Sequence, residues 1–533
     1  MTSASIHSGY DYVIVGAGSA GCVLANRLSA NPANSVLLLE AGGRDWHPYI
    51  HMPAGLGKLF GVRNVNWDFN TEAQTQLDGR RLWWPRGKVL GGSSSINAMC
   101  YMRGHPRDYD EWAAATGDPR WSWASVLPVF KRGEANTRGA DAWHGSDGPL
   151  AVADLRHRNE LSEVFIAAAH HAGFARNGDF NGARQDGFGL YQVTQKNGAR
   201  CSATTAYLNP ARPRKNLQIL THALTTRVVL EGARAVGVEY RRHGATQRVD
   251  AANVILCGGA INSPQLLMLS GIGPADHLRE VAIAPLHDLA GVGSNLQDHL
   301  DVCTLAHSTR AVTYDKTNDL AVALEFLFKR RGIGTSNIAE AGGFARSRLA
   351  SDERCDLQFH FVPAMLDDHG RNRLEGHGYT VHACALRPHS RGTIRLRTND
   401  PAAAPAIAPN YLGDAEGRDL ALMLEALRLS RKIFAQAPFA PYRGEEILPG
   451  AQAQSEDELV AFIRRKAETI YHPVGTCRMG NDAGAVVDSE LRVHGIDGLR
   501  VVDASIMPNL IGGNTNAPTM MIAERAAELL LGA

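Results

Sequence analysis

A glycine-rich turn near the amino terminus is the feature that most constrains this fold. The stretch "YDYVIVGAGSAGCVLANRLSANPANSVLLLEAGG" begins with a β-branched run, Tyr12 to Val15, which predicts a buried parallel strand. Gly16, Gly18 and Gly21 follow at once with G-x-G-x-x-G spacing. In such a turn the first glycine permits a tight bend, the second lets backbone approach a pyrophosphate, and the third lets helix and strand pack closely.

The residues after the turn complete a βαβ unit. Ala20 to Leu28 predicts a helix whose first amides face the phosphate, and Val36 to Leu39 predicts a second strand. Glu40 ends that strand, where its carboxylate can accept hydrogen bonds from an adenosine ribose. The alternative is a glycine-rich turn with no ligand. The order of the parts favours a dinucleotide, and both NAD and FAD suit the unit.

Length and charge restrict the class of protein further. With 533 residues the chain is long enough for two or three domains. Charged residues make up 20% of it and the formal net charge is +1, so we expect no nucleic-acid partner and a small neutral substrate. No stretch approaches the roughly 18 consecutive apolar residues that predict a transmembrane helix.

The cysteines indicate a reducing compartment. All eight are scattered, with no CxxC pair and no signal peptide ahead of them. We therefore expect a cytoplasmic protein, and peripheral contact with the inner membrane stays open. His472 and Cys477 lie close in sequence, but no second Cys/His pair has zinc-like spacing, so no metal is expected.

Several further stretches carry a family pattern. "RGKVLGGSSSINAMCYMRGHPRDYDEW" holds a loop of glycines and serines, "GAINSPQLLMLSGIG" follows the strand "NVILCGG", and "IYHPVGTCRMG" and "GLRVVDASIMP" lie near the carboxyl end. Together, and in this order, these motifs resemble the glucose-methanol-choline (GMC) oxidoreductase family of flavoproteins from about Asp11 to the C-terminus. The "GGSSSINAMCYMRG" segment is most similar to the bacterial alcohol and choline dehydrogenase branch.

The resemblance implies an α/β fold with two domains. One is a Rossmann-like FAD-binding domain, expected over residues 1–160, 196–297 and 470–533. The other is a substrate-binding domain with a largely antiparallel sheet, expected over residues 161–195 and 298–469. The alternating stretches "DLQFHFVPAML" and "YTVHACALRP" predict strands of that sheet.

The resemblance also implies FAD and the positions that contact it. These are Gly16, Ala17, Gly18, Ser19, Ala20, Glu40, Ala41, Val89, Gly92, Ser93, Asn97, Ala98, Met99, Val228, Asp503, Ala504, Asn514 and Pro518. Members that link FAD covalently have a histidine where this chain has Ile96. Because isoleucine cannot form that bond, the FAD is expected to be non-covalent.

Two carboxyl-terminal loops are expected to meet at the flavin. In this family a histidine of the HP-x-G-T segment and a second histidine or asparagine face the ring, which maps here to His472 and Asn516, with Asn514 as a competitor. A neutral imidazole with a pKa near about 6.5 suits removal of a hydroxyl proton. An amide can orient the oxygen and stabilise the developing alkoxide. On its own, His472 could equally be a buried structural histidine.

The substrate side is less defined by the motifs. Glu340 stands where choline-oxidising members carry an acid, and Tyr471 could supply one aromatic wall. Recognition of a quaternary ammonium group needs several aromatic faces, and a complete cage is not evident from the sequence. Support of the sheet is therefore an equal alternative for Glu340.

The expected reaction is FAD-dependent oxidation of a primary alcohol to an aldehyde, with hydride transfer to flavin N5 and His472 as base. Three alternatives stay open: a choline dehydrogenase or oxidase, a non-redox lyase of the hydroxynitrile lyase type, and a non-enzymatic flavin sensor. The electron acceptor is expected to be oxygen, a quinone or an electron-transfer protein.

Overall fold

Two large sheets organise the chain. The computed structural model describes residues 9–59, 61–372 and 374–532. Fourteen strands within these residues build the two sheets: β1 (Gly9–Val15), β2 (Val36–Leu39), β3 (Gly187–Leu190), β4 (Leu217–Leu220), β5 (Leu224–Glu231), β6 (Arg234–Arg242), β7 (Ala245–Leu256), β8 (Leu300–Ser308), β9 (Ala341–Ala345), β10 (Leu357–Val362), β11 (Gly378–Ala385), β12 (Arg443–Leu448), β13 (Glu468–Thr469) and β14 (Leu499–Val501).

Nine longer helices surround the sheets in the described part of the chain. They are α1 (Ser19–Leu28), α2 (Pro106–Thr116), α3 (Trp123–Gly133), α4 (Glu160–His171), α5 (Gly259–Leu269), α6 (Asp319–Lys329), α7 (Arg418–Phe434), α8 (Glu456–Lys466) and α9 (Asn516–Leu531). Short helices include Pro48–His51, Leu56–Leu59 and Ala275–Glu280, and short ribbons include Phe69–Asn70 with Trp83–Trp84 and Thr393–Arg395 with Ala406–Ala408.

The first sheet has the order β4-β2-β1-β7-β6-β5, and β14 also pairs with β7. The pairs β4/β2, β2/β1, β1/β7 and β7/β14 are parallel, whereas β6 joins β7 and β5 in antiparallel fashion. In β1 and α1, the apolar residues Val13, Ile14, Val23 and Leu24 are fully buried. The parallel strands end along one edge, which is where open α/β sheets bind ligands.

The second sheet is antiparallel throughout. Its order is β12-β8-β11-β10-β9-β3, and β13 pairs with β8. Helix α7 packs on β11 and β8, and α4 packs on β9. His360 of β10 lies opposite His382 of β11 in the register, so two histidines of neighbouring strands stand side by side.

The predicted fold class is confirmed: the chain combines a Rossmann-like sheet with a largely antiparallel one. We propose the domain division given above, with residues 161–195 and 298–469 forming the substrate-binding domain. That division assigns every strand of the antiparallel sheet, including the early β3, to one domain.

Candidate active site

A cavity of about 700 Å³ reaches from the carboxyl edge of the first sheet to the second sheet. Gly16 follows β1 and Glu40 follows β2 on one side, and His360 and His382 lie on the second sheet at the other. The cavity is therefore the place where residues of both proposed domains meet.

The glycine turn is shaped by close backbone contacts. A Cβ atom on Gly16 would lie 2.5 Å from the carbonyl oxygen of Cys257, and one on Gly21 would lie 1.9 Å from the carbonyl oxygen of Gly16. Gly18 is different, because the nearest atom to its Cβ would be 3.9 Å away. Gly16 and Gly21 thus serve packing, and Gly18 leaves room in the cavity wall at the start of α1.

Glu40 closes the same end of the cavity. Its carboxylate accepts hydrogen bonds from the amides of Ala17 at 2.9 Å and Gly42 at 2.8 Å. Burial raises the pKa of Glu40 to about 7, and the two amide donors partly oppose that rise. Ala17 itself lies outside the cavity lining, and its amide is already taken by Glu40.

The loop Gly91–Ser95 packs onto the glycine turn. Gly92 has a φ of +52°, and a Cβ there would lie 2.7 Å from the Cα atom of Gly18. The residues of this loop region that line the cavity are Gly92, Ser93, Ile96, Asn97, Ala98 and Met99. Val89 is buried beneath them and does not line it.

Asp503 is held in place after β14. Its Oδ2 accepts hydrogen bonds from the Gly259 amide at 2.8 Å and the Ser263 hydroxyl at 2.6 Å, and its Oδ1 accepts one from the Ser505 amide at 2.8 Å. Burial raises the pKa of this carboxyl. Asp503 and Ala504 both line the cavity.

His472 is fixed on both sides of its ring and through its backbone. The ring Nδ1 lies 3.0 Å from Nδ1 of His299, and Nε2 lies 3.1 Å from the amide nitrogen Nδ2 of Asn514. The His472 backbone N–H donates to Asp298 at 2.7 Å. Asp298 also accepts hydrogen bonds from Thr469 and Tyr411, and burial raises its pKa to about 6.

The structure brings Asn514, and not Asn516, to His472. Asn514 contacts His472, and its Oδ1 accepts a hydrogen bond from Gln358 at 3.0 Å. Asn516 is instead the first residue of α9, and its Oδ1 accepts a hydrogen bond from the Ser19 hydroxyl at 2.7 Å. Since Ser19 begins α1, Asn516 belongs to the dinucleotide end of the cavity.

The protonation of His472 also differs from the expectation of an ordinary imidazole. Burial lowers the pKa of His472 well below its usual value, and repulsion from the neighbouring His299 and His360 lowers it further. Burial lowers the pKa of His299 to about 3 as well. Both rings are therefore neutral at neutral pH, which is the form in which an imidazole can accept a proton.

Val228 and Pro518 were expected to contact the cofactor, but neither lines the cavity. The Val228 amide donates to the Ser270 hydroxyl at 2.8 Å. Thr225, three residues earlier in β5, lines the cavity, and its Oγ1 is buried with no hydrogen-bond partner among the described residues. A β-bulge lies between Thr225 and Arg227, so regular alternation along β5 does not predict which of these side chains faces the cavity.

Glu340 also lies outside the cavity lining. It is fully buried, and its carboxylate accepts hydrogen bonds from the Asn159 amide and from the hydroxyls of Ser162, Tyr314 and Ser336 at 2.5 to 2.8 Å. With four donors around it, this carboxylate supports the junction of α4 with the sheet. The structural alternative therefore describes Glu340 better than a substrate contact does.

Tyr471 and His360 are among the residues that line the cavity on the side of the second sheet. Tyr471 lies there with a left-handed backbone φ of +71°, and its hydroxyl contacts His369. His360 was missed by sequence reasoning: its Nδ1 is buried with no hydrogen-bond partner in the described part of the chain. A histidine inside the wholly buried strand "LQFHFV" is the signal that could have found it.

Two groups of side chains have the spacing of a metal site, and one histidine of each lines the cavity. Asp301, Cys303 and His382 form one group, and Asp368, His369 and Glu468 form another. His472 and Cys477 belong to neither group.

Over residues 9–59, 61–372 and 374–532, no helix is long and apolar enough to cross a membrane.

Comparison with known proteins assigns the family. Models of the GMC oxidoreductase family match residues 10–301 and 388–523. The chain belongs to the GMC oxidoreductase family. It is 51% identical to an alcohol dehydrogenase [acceptor] of Pseudomonas putida, covering 98% of this chain and 96% of the relative. It is 46% identical to the mitochondrial choline dehydrogenase of Homo sapiens, covering 98% and 90% of the two chains.

The fold is also similar to that of a solved flavoenzyme structure. The pyridoxine 4-oxidase of Mesorbium loti superposes with a TM-score of 0.90 at 36% identity, covering 98% of this chain and 99% of that one. GMC oxidoreductases are flavoenzymes that act on CH–OH groups and bind FAD. The cavity has parts that fit FAD: the space at Gly18, the first amides of α1, and the unpartnered hydroxyl of Thr225.

The FAD is expected to be held without a covalent bond at the Gly91–Ser95 loop. Ile96 lines the cavity where a linking histidine would stand, and an aliphatic side chain cannot make the bond. Mass spectrometry of denatured protein should therefore give the mass of the polypeptide alone. A mass higher by one flavin would contradict this prediction.

Proposed function

We propose that this GMC oxidoreductase oxidises neutral primary alcohols to aldehydes, with His472 as the base. The observation that carries the proposal is the contact of His472 Nε2 with Asn514 at 3.1 Å in the wall of the cavity. In the reaction the alcohol loses a proton from oxygen and a hydride from carbon. FAD, when bound, supplies the hydride acceptor.

The hydrogen bonds around His472 indicate which ring nitrogen is unprotonated and can act as the base. Gln358 donates to Oδ1 of Asn514, so the Nδ2 group of Asn514 faces His472 and donates to Nε2. Because Nε2 of His472 accepts this hydrogen bond, the proton of the neutral ring is on Nδ1 of His472. That N–H is donated to Nδ1 of His299. The lone pair of Nε2 accepts the Asn514 N–H in this structure, and an alcohol bound in the cavity would take the place of this contact and present its hydroxyl proton to Nε2.

Asn514 has a second task in this proposal. Its amide has two N–H groups, and one of them contacts His472 in this structure. The other can hold the alcohol oxygen and stabilise the negative charge that develops as the proton leaves. Asp298 supports the pair through the backbone of His472, so it acts as a positioning residue.

The lining of the substrate end favours a neutral hydrocarbon chain. Its apolar members are Val322, Ala323, Ile338, Val362, Ala364, Met365, Leu366 and Ile470. The two acids there are already engaged. Asp315 accepts hydrogen bonds from Met365, Thr313 and Gly378, and Asp319 pairs with Lys58 at 2.8 Å.

Choline is the second candidate substrate, because relatives at 44–46% identity are choline dehydrogenases. We expect it to be the poorer substrate here, since Glu340 is enclosed and the described lining offers three tyrosine rings, of which Tyr49 is exposed at the entrance and Tyr314 and Tyr471 lie further in. The test compares kcat/KM for choline, benzyl alcohol and a medium-chain alcohol. A clear preference for choline would contradict the proposed neutral substrate.

Asn514→Ala should slow alcohol-dependent flavin reduction about 10- to 100-fold, as expected for loss of a hydrogen bond to a charged group worth about 1.5–3 kcal/mol. Asn516→Ala is the matched control, because it removes the same amide two residues away. We expect it to change FAD retention more than the reduction rate. A slower chemical step in Asn516→Ala than in Asn514→Ala would overturn the assignment of Asn514.

The proposed acceptor is oxygen, a quinone or an electron-transfer protein, and assays with each as the sole oxidant distinguish them. The proposed compartment is the cytoplasm. It is supported by the eight cysteines, all of which are buried free thiols, as expected of a reducing environment.

A further inference from the structure

Helix α6 exposes large apolar side chains on its outer face. Leu320 is 69% exposed, Leu324 46%, Leu327 60% and Phe328 77%. The spacing i, i+4, i+7 and i+8 places them on one side of the helix. We call these four residues the α6 apolar face. The inner side of α6 is packed, with Phe326 buried and with Val322 and Ala323 lining the cavity.

Basic residues flank the α6 apolar face. Residues 316–331 contain four basic residues (Lys316, Lys329, Arg330 and Arg331) and two acidic ones (Asp319 and Glu325), a net charge of +2. Both acids are paired, Asp319 with Lys58 at 2.8 Å and Glu325 with Arg331 at 3.3 Å. Lys316 and Lys329 form no ion pair with any described residue. The surface around the face is therefore positive.

The cavity reaches the protein surface beside this face. Among its described lining residues, Tyr49, Gly57, Lys58 and Asp319 are exposed. Lys58 lies on the short helix Leu56–Leu59, and its ion pair with Asp319 bridges that helix and α6. Trp46, three residues before Tyr49 in the chain, is 71% exposed. The entrance therefore has one exposed tyrosine and one ion pair at its edge, with an exposed tryptophan close by in the chain.

We propose that the α6 apolar face binds the surface of an anionic lipid bilayer. A helix with leucine and phenylalanine on one face and lysine and arginine beside it is typical of helices that lie in a membrane interface, and anionic headgroups attract the basic residues. Exposed tryptophan and tyrosine suit the same depth. With α6 on the bilayer, the cavity entrance faces the membrane, from which an apolar alcohol or a lipid-soluble electron acceptor can enter.

A lipid surface fits the size of the face better than a second protein does. An eleven-residue helix is about 16 Å long and about 10 Å wide. Stable protein complexes bury about 800 Å² on each partner, several times that footprint. Four protruding apolar side chains can insert into a bilayer interface without a complementary partner surface.

Vesicle co-sedimentation of the FAD-loaded full chain tests the proposal, with vesicles of phosphatidylcholine alone or with 30% phosphatidylglycerol, about the range in which anionic lipids act. The wild type should sediment with the anionic vesicles and much less with the neutral ones. Leu327→Ser/Phe328→Ser should lower binding about tenfold or more, and Lys316→Gln/Lys329→Gln should lower it at low salt. Leu286→Ser/Leu349→Ser, which removes two exposed leucines outside α6, is the control and should bind like wild type.

Flavin reduction by a water-soluble alcohol should be unchanged in Leu327→Ser/Phe328→Ser, because neither residue lines the cavity. That readout separates failure of this proposal from failure of the proposed function. Equal vesicle binding by wild type and Leu327→Ser/Phe328→Ser would overturn the proposal. A concentration-dependent dimer that this variant abolishes, without vesicle binding by the wild type, would overturn it in favour of a second copy of the chain.

Discussion

His472→Ala should keep its FAD and lose alcohol-dependent flavin reduction by a factor of about 10² to 10⁴, the usual effect of removing a positioned general base. His472 is suited to the role because its Nε2 faces Asn514 in the cavity wall and its backbone is held by Asp298. The measurement is stopped-flow reduction of the flavin band under anaerobic conditions. His170→Ala is a control, since His170 lies on the exposed side of α4.

The pH dependence of the wild type distinguishes this base from an ordinary imidazole. Burial keeps the pKa of His472 well below its usual value, so the folded protein holds the neutral ring at pH 7 and at pH 6. The reduction rate should therefore stay level as the pH falls through about 6.5 and decline only at more acid pH. A half-maximal rate near pH 6.5, or near-normal reduction in His472→Ala, would contradict the assignment.

Gly21→Ala should destabilise the fold, whereas Gly18→Ala should leave it intact. The new methyl group at Gly21 would lie 1.9 Å from the carbonyl oxygen of Gly16, and a backbone atom cannot rotate out of its way. We therefore expect the free energy of unfolding to fall by at least the upper end of the usual range for overpacking, about 1–3 kcal/mol. At Gly18 the nearest atom is 3.9 Å away. Thermal unfolding of the two apoproteins measures the difference.

Gly18→Ala should instead weaken FAD binding about tenfold or more. Its methyl group would occupy the space at the start of α1, where a pyrophosphate must approach the backbone. Titration of the two apoproteins with FAD provides the measurement. Wild-type affinity in Gly18→Ala would place the pyrophosphate elsewhere, and wild-type stability in Gly21→Ala would show that the turn can relax.

Local sequence rules predicted the secondary structure around the glycine turn. Strand Tyr12–Val15, the glycine turn and Glu40 lie where their spacing indicates, because a βαβ unit is determined by neighbours in the chain. His472, before Pro473, likewise lies outside any helix, as expected where proline restricts the backbone of the preceding residue.

The substrate end depended on contacts that sequence spacing does not encode. Asn514 and Asn516 are two residues apart, and which one reaches His472 is decided by where α9 begins. Thr225 rather than Val228 lines the cavity, and the bulge in β5 breaks the regular alternation from which the face of each side chain would be predicted. Glu340 is enclosed by donors from Asn159, Ser162, Tyr314 and Ser336, which come from three separate parts of the chain.

Anaerobic mixing of the FAD-loaded wild type with a panel of aliphatic, aryl and amino alcohols tests the central claim most directly. The account predicts that neutral primary alcohols bleach the flavin band, that an aldehyde appears in equal amount, and that the band returns when an acceptor is admitted. A flavin band that no alcohol in the panel bleaches, in protein that holds FAD, would contradict it and would point to non-redox lyase chemistry in this fold.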